Sequence, residues 1–257
     1  MVDTGDSRVL LEVDGLVATI TLARPEKLNA LDLPMILALE RAAHHIDADN
    51  SMKVAIITGQ GEKAFCAGGD IAAWSTVAPE DFGLQWVRIG HRAFDALARL
   101  RVPLIAALNG SAMGGGFEVA SCADIRIAEE HVKFSLPETG LGIIPGWSGT
   151  QRAVQRFGSQ VIRRMSLAGE VFDADQARDL GLCDSVVMKG QSLNAARALA
   201  VNMVKRSALA TAAAKMMINA AEGEDAPRAF EALGGIAAAH SAELKVGLAA
   251  FTAKKKY

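Results

Sequence analysis

The sequence predicts an α/β fold followed by a helical C-terminal part, on three observations. Short continuous apolar runs, VAIIT at 54–58 and LIAAL at 104–108, have the pattern of buried parallel strands. Stretches with apolar residues at helical spacing alternate with them, as in layered α/β cores. From about Ser192 the chain becomes alanine-rich, with Met and Leu at helical spacing and almost no β-branched runs. The division expected is an α/β part at 1–191 and a helical part at 192–257.

Val9–Val13 and Val17–Leu22 are rich in aliphatic and β-branched residues, and Asp14–Gly15 between them is a hairpin signal. Arg24 to Leu31, with Pro25 and Asn29, reads as a loop. Leu33 to Ala48 has helical spacing, with Asp32 as N-cap and Pro34 in the first turn. A glycine-bearing loop follows the strand Val54–Thr58, then a helix over about Phe82 to Leu100. Pro103 precedes the strand Leu104–Leu108. The run Gly114–Gly116 opens a short helix ending near Cys122, and Ile125–Ala128 is a further strand. Asp184–Val187 reads as a turn. Three or four helices are expected beyond Ser192, broken near Glu222–Pro227, and Lys254–Lys256 reads as a solvated helix end.

Composition excludes several function classes. The 257 residues are 51% apolar and 22% charged, the balance of a globular protein. A net charge of −2 gives no broad basic field for nucleic acid, and 5% aromatics leave little for base stacking. No apolar run approaches the ~20 residues that span a bilayer, so no membrane partner is expected. The N-terminus does not have the pattern of a signal peptide. Cys66, Cys122 and Cys183 show no metal-ligand spacing, and reduced thiols in a cytoplasmic setting are the simplest reading.

Three glycine-rich features could carry chemistry. Gly59-Gln-Gly61-Glu-Lys-Ala64 follows a strand and matches a dinucleotide-binding fingerprint. That fingerprint needs a helix starting inside it, whereas the chain runs into the loop-like Phe65–Asp70; a turn after a strand is the plainer reading. In the second, Gly68–Gly69 before Asp70 lets backbone N–H groups approach a ligand. The third runs from Asn109 to Glu118, where a helix begins inside Gly114–Gly116 and leaves unpaired N–H groups at its start. One of these, facing another from the Gly69 loop, would make an oxyanion hole. Glu118 lies about one helical turn after Gly115, so its carboxylate can face the same space; its plainer role is a first-turn helix acid.

AFCAGGDI at 64–71, LNGSAMGGGFEVASCADIRIA at 108–128 and SLPETGLGIIPGWSGTQR at 135–152 together resemble the enoyl-CoA hydratase/isomerase, or crotonase, family. ARPEKLNALD at 23–32, the segment 167–187 and the last seventeen residues extend the resemblance over nearly the whole chain. It implies a spiral of repeated ββα units followed by C-terminal helices used in trimer assembly, with trimers commonly paired into hexamers. It implies an acyl-CoA substrate and no metal or redox cofactor, CoA being part of the substrate. By the same resemblance Gly69 and Gly115 supply the oxyanion hole, and Glu118 and Glu138 are the two catalytic carboxylates. Lys27, Leu28, Ala67, Gly68 and Asp70 fall on the loops along which CoA lies. Hydration needs a base for water and an acid for C2, and two close, part-buried glutamates should hold one proton between them near neutral pH.

The chain departs from the family pattern at Trp147 and Ser148, where small residues are usual. Trp147 either packs or shapes the acyl site, and Trp74 has the same two roles open. His44, His45 and His91 read as structural or exposed, and Cys66 as a packing residue. The rival functions are an enoyl-CoA isomerase, which needs no activated water, and another crotonase-type reaction on an unusual acyl group. A non-catalytic CoA-binding protein leaves both glutamates unexplained, and a redox enzyme built on Gly59 has the weakest support.

Overall fold

The computed structural model describes residues 1–244, 246, 248 and 249. In chain order the elements are β1 (Val9–Asp14), β2 (Val17–Leu22), α1 (Leu33–Ala48), β3 (Val54–Gly59), β4 (Ala64–Cys66), α2 (Ile71–Trp74) and α3 (Pro79–Asp81). A π-helical segment, Phe82–Val87, runs into α4 (Arg88–Ala98). Then come β5 (Leu104–Leu108), β6 (Ser111–Met113), α5 (Gly115–Ala120), β7 (Ile125–Glu129) and β8 (Lys133–Ser135). After a 3-10 turn at Glu138–Leu141 follow α6 (Arg152–Phe157), α7 (Ser159–Ala168), β9 (Phe172–Asp173), α8 (Ala174–Asp179) and β10 (Ser185–Val187). The last elements are α9 (Ser192–Met203), α10 (Ala208–Ala221) and α11 (Ala226–Ala239).

The strands form two sheets. The larger has the order β1-β2-β3-β5-β7-β10, parallel throughout except for the β1–β2 hairpin. The smaller has the order β4-β6-β8-β9, with β4, β6 and β8 parallel. The chain winds between them: β3 to β4, β5 to β6, β7 to β8, each turn adding one strand to each sheet. This winding is the spiral of repeated units that the family resemblance implies. The larger sheet is covered on both faces, which is why VAIIT is apolar throughout. Ala55 and Ile57 join the main core, whereas Val54 and Ile56 meet Ala196 and Ala200 of α9.

Two compact units are resolved, Met1–Ala212 and Ala213–Tyr257. The helix α9 thus lies in the first unit, where the sequence placed a division at 191/192. In the second unit, the rest of α10 and α11 are separated by a short break, and Asp225 ahead of α11 adopts a left-handed φ of 55°. The terminal lysines and the rest of 250–257 lie outside the described residues.

The long elements match the sequence reading, with Asp32 accepting from the Met35 N–H at 3.1 Å as the N-cap of α1. Ser185–Val187, read as a turn, is a strand parallel to β7. The smaller sheet was not legible, because strands of two or three residues are too short to display a period. It sets the site: Gly69 follows β4, Gly114–Gly115 follow β6, and Glu138 follows β8.

Candidate active site

The first loop is built around Asn29, buried at a left-handed φ of 56°. Its Nδ2 donates to the carbonyls of Gln60 and Ala64 at 3.0 and 2.9 Å, and its Oδ1 accepts from the Arg24 N–H at 2.9 Å. The Gly59 fingerprint is therefore a turn leading into a strand, tied down by Asn29 and Asn109. Residues 28–31 then zip onto 67–70. The Ala67 N–H donates to Leu28 O, Leu31 N–H to Gly68 O, and Asp70 N–H to Leu31 O. This bridge leaves the Gly69 N–H outside it, donating to no group among the described residues.

The second loop turns at Gly114, whose φ of 52° and ψ of −125° suit glycine alone. Gly115 is the first residue of α5, so its N–H has no partner within the helix. A Cβ on Gly115 would lie 3.4 Å from the Gly69 nitrogen, so the two N–H groups are neighbours.

Both glycines line one cavity of about 90 Å³, together with Ala67, Gly68, Glu118, Glu138 and Trp147. Leu28 instead lines a neighbouring open groove with Gln60–Ala64 and Lys189. Lys27 ends an exposed 3-10 turn before that groove. Asp70 lines neither; it caps α2 through the Ala72 N–H at 3.1 Å and pairs with Arg24 at 2.9 Å.

Glu118 is 2% exposed, yet its Oε1 accepts from the N–H groups of Trp147 and Gly149, both at 2.7 Å. Burial, with the charge of Glu138 adding to it, pushes its pKa up to about 8, against the pull of the two N–H donors and Arg152. Glu138 is also buried, and burial pushes it up to about 7. Its Oε2 has no hydrogen-bond partner and Oε1 lies beside Gly114. Two carboxyls raised into the neutral range share one small cavity with two backbone donors. Such a site can move protons and hold negative charge on an oxygen.

An aromatic wall closes the cavity. The Trp147 ring is 5.4 Å from Trp86 and 5.2 Å from Phe94, centroid to centroid, and its Nε1 donates to Trp86 O at 3.3 Å. It sits over Gly90 of α4, where any Cβ would overlap the indole nitrogen. The indole of Trp147 both packs against these rings and lines the cavity. Trp74 and Phe82 line the same cavity. Sequence reasoning missed the contact between His91 Nδ1 and Ser148 Oγ, at 3.1 Å, because they lie 57 residues apart. Cys66 is fully buried, and burial pushes its thiol up to about 12, in keeping with a packing role.

A family model described as enoyl-CoA hydratase/isomerase matches residues 12–257. The chain is 37% identical over 216 residues to the short-chain-enoyl-CoA hydratase of Clostridium acetobutylicum, covering 83% of this chain and 81% of that protein. It is 34% identical over 255 residues to the crotonyl-CoA hydratase of Syntrophomonas wolfei, covering 96% of each. The crystal structure of an enoyl-CoA hydratase from Bacillus anthracis superposes with a TM-score of 0.82 at 30% identity, covering 96% of this chain and 97% of that one.

Proposed function

Because the chain belongs to the enoyl-CoA hydratase/isomerase family, we propose that this enzyme adds water across the C2–C3 double bond of a short-chain 2-enoyl-CoA. The product is the 3-hydroxyacyl-CoA. The observation that carries this reading is the pair Glu118 and Glu138, both buried, both raised toward neutrality, on one cavity with the Gly69 and Gly115 N–H groups.

The thioester oxygen accepts from the Gly69 and Gly115 N–H groups. Charge that moves onto it as the enolate forms meets fixed dipoles, worth ~3–4 kcal/mol per donor. Glu118, as carboxylate, takes a proton from water as its oxygen bonds to C3. Glu138, as carboxylic acid, gives a proton to C2. Glu118 is raised further than Glu138, so the reactive arrangement, Glu118 ionised and Glu138 protonated, is the minor singly protonated form of a pair that titrates together. An isomerase moves a proton between carbons and has no use for a second carboxyl gripping water, so Glu118 weighs against that reading.

The short acyl group is supported by the cavity itself. Trp147, Trp86 and Trp74 crowd its lining beside Glu118 and Glu138 and leave little room there for a long acyl tail. CoA extends from Ala67–Gly68 along the groove beside Lys27 and Leu28. No metal or redox group enters this chemistry. Assembly as a trimer or a dimer of trimers is part of the proposal, as is a cytoplasmic setting, in keeping with three buried free thiols. Among the described residues no helix is long and apolar enough to cross a membrane.

The test is loss of the conjugated thioester absorbance of crotonyl-CoA. Hydration by the wild type, lost in Glu118→Gln and in Glu138→Gln, is the expected result. In an acyl-CoA complex both glycine N–H groups should lie ~2.7–3.1 Å from the thioester oxygen. An oxygen bound elsewhere refutes the oxyanion assignment.

A further inference from the structure

The Glu118 carboxylate is not held by its own helix. Its two donors come from residues 147 and 149, about thirty positions along the chain. Between those donors stands Ser148, with a φ of 83°, a backbone conformation a residue with a side chain rarely adopts. The N–H groups of the residues flanking this twist converge on a single carboxylate oxygen. Serine there costs more than glycine would, so something else must hold it. Its Oγ lies 3.1 Å from His91 Nδ1, on α4, and its carbonyl accepts from the N–H groups of Gln151 and Ala153 at 3.2 Å each.

We propose that His91 and Ser148 are a positioning pair, which keeps residues 147–149 in the shape that grips the Glu118 carboxylate. The proposal rests on the reading of Glu118 as the group that activates water. Burial keeps the His91 pKa below its ordinary value, so the neutral ring can accept a hydrogen bond at Nδ1 from the Ser148 hydroxyl. The charged groups around the pair are Asp95, one turn along α4, and Arg152, which is bound to Asp95 at 2.6 Å. Those around Glu118 are Glu138 and again Arg152. Both donors are backbone N–H groups, which a side-chain substitution does not remove, so the pair is the handle by which the grip can be loosened. Loosening it weakens two hydrogen bonds to the ionised form, and the Glu118 pKa must then rise further.

Ser148→Ala removes the hydroxyl and keeps the twisted backbone. His91→Ala removes the partner, and His91→Asn puts an amide where Nδ1 stood. Two readouts are needed: kcat and KM on crotonyl-CoA, and the infrared band of the protonated Glu118 carboxyl, identified by its loss in Glu118→Gln. Ser148→Ala and His91→Ala should lower kcat about tenfold with KM within about twofold, and move the Glu118 titration up by about one unit. His91→Asn should restore most of both. An unmoved Glu118 titration and unmoved kcat in Ser148→Ala or His91→Ala overturn the proposal. A wild type that hydrates no enoyl-CoA overturns the functional reading instead, and the infrared titration then still reports on the grip.

Discussion

Replacing Glu118 with glutamine should make the enzyme inactive and, in alkaline solution, more stable. A buried carboxyl whose pKa is higher in the folded protein than in the unfolded chain favours folding less as it ionises. Below the unfolded value of 4.5 it has no effect. Stability is lost as pH rises from there to the folded value of about 8, and is level above it. A shift of about 3.5 units at about 1.4 kcal/mol per unit amounts to roughly 5 kcal/mol at full ionisation. Glutamine removes that ionisation. Its amide oxygen still accepts from the Trp147 and Gly149 N–H groups, but its NH₂ enters a buried place shaped for an oxygen, which costs about 1–3 kcal/mol at every pH. The variant should therefore be the less stable protein at pH 5 and the more stable one at pH 9. The measurement is Tm of both proteins by calorimetry at several pH values. The change in their difference should amount to at least about 2 kcal/mol, or roughly 4–8 °C. A difference between the two that stays constant from pH 5 to 9 would refute the raised Glu118 pKa. Hydration of crotonyl-CoA should fall at least ~10²-fold in the same variant.

Glu138→Gln should also lose at least ~10²-fold in hydration with CoA affinity little changed, measured by initial rates and by titration with a non-reactive acyl-CoA. Trp147→Ala should lower Tm, because a buried indole packed on Trp86 and Phe94 is lost at ~3–5 kcal/mol, and should raise kcat/KM for a longer enoyl-CoA relative to crotonyl-CoA. An unchanged ratio would take the indole out of the acyl site. Gly90→Ala, whose new methyl meets the indole nitrogen, should displace the same wall from the opposite side and shift the same ratio, at a cost of ~1–3 kcal/mol in denaturant titration.

The sequence displayed its long elements because they are long enough to show a period. The hairpin around Asp14–Gly15, the capped helix from Leu33 and the two apolar strands were all legible without the structure. The pairing of Gly69 with Gly115 was legible from the glycines and the family resemblance together. What could not be read depends on contacts between distant residues. The short strands β4, β6 and β8 gain their identity only by pairing with each other. Trp147 could not be assigned to wall or packing until Gly90, 57 positions away, was seen beneath it. His91 was read as structural or exposed because a lone histidine on a helix has no visible partner in one dimension. The 192 boundary followed composition, but α9 is apolar on the side that covers the large sheet, and contact with that sheet joins it to the first unit.

The smaller sheet has a consequence for how this enzyme can change. Its neighbouring parallel strands, spaced about 4.8 Å apart, act as rungs. Each leads from its carboxyl end into one piece of the proposed machinery: the Gly69 N–H, the Gly115 N–H, then Glu138. Much of the material between rungs winds away and returns, so parts of it can change without moving the strand ends. Trp74, Phe82 and Trp86 all belong to the one long excursion between β4 and β5. Its first part, up to Val87, is a replaceable cassette, whereas α4 beyond it carries His91 and Asp95. Exchanging residues 71–87 should re-tailor which acyl tail is admitted while the reaction itself is inherited, so a library confined to them is the economical route to new substrates.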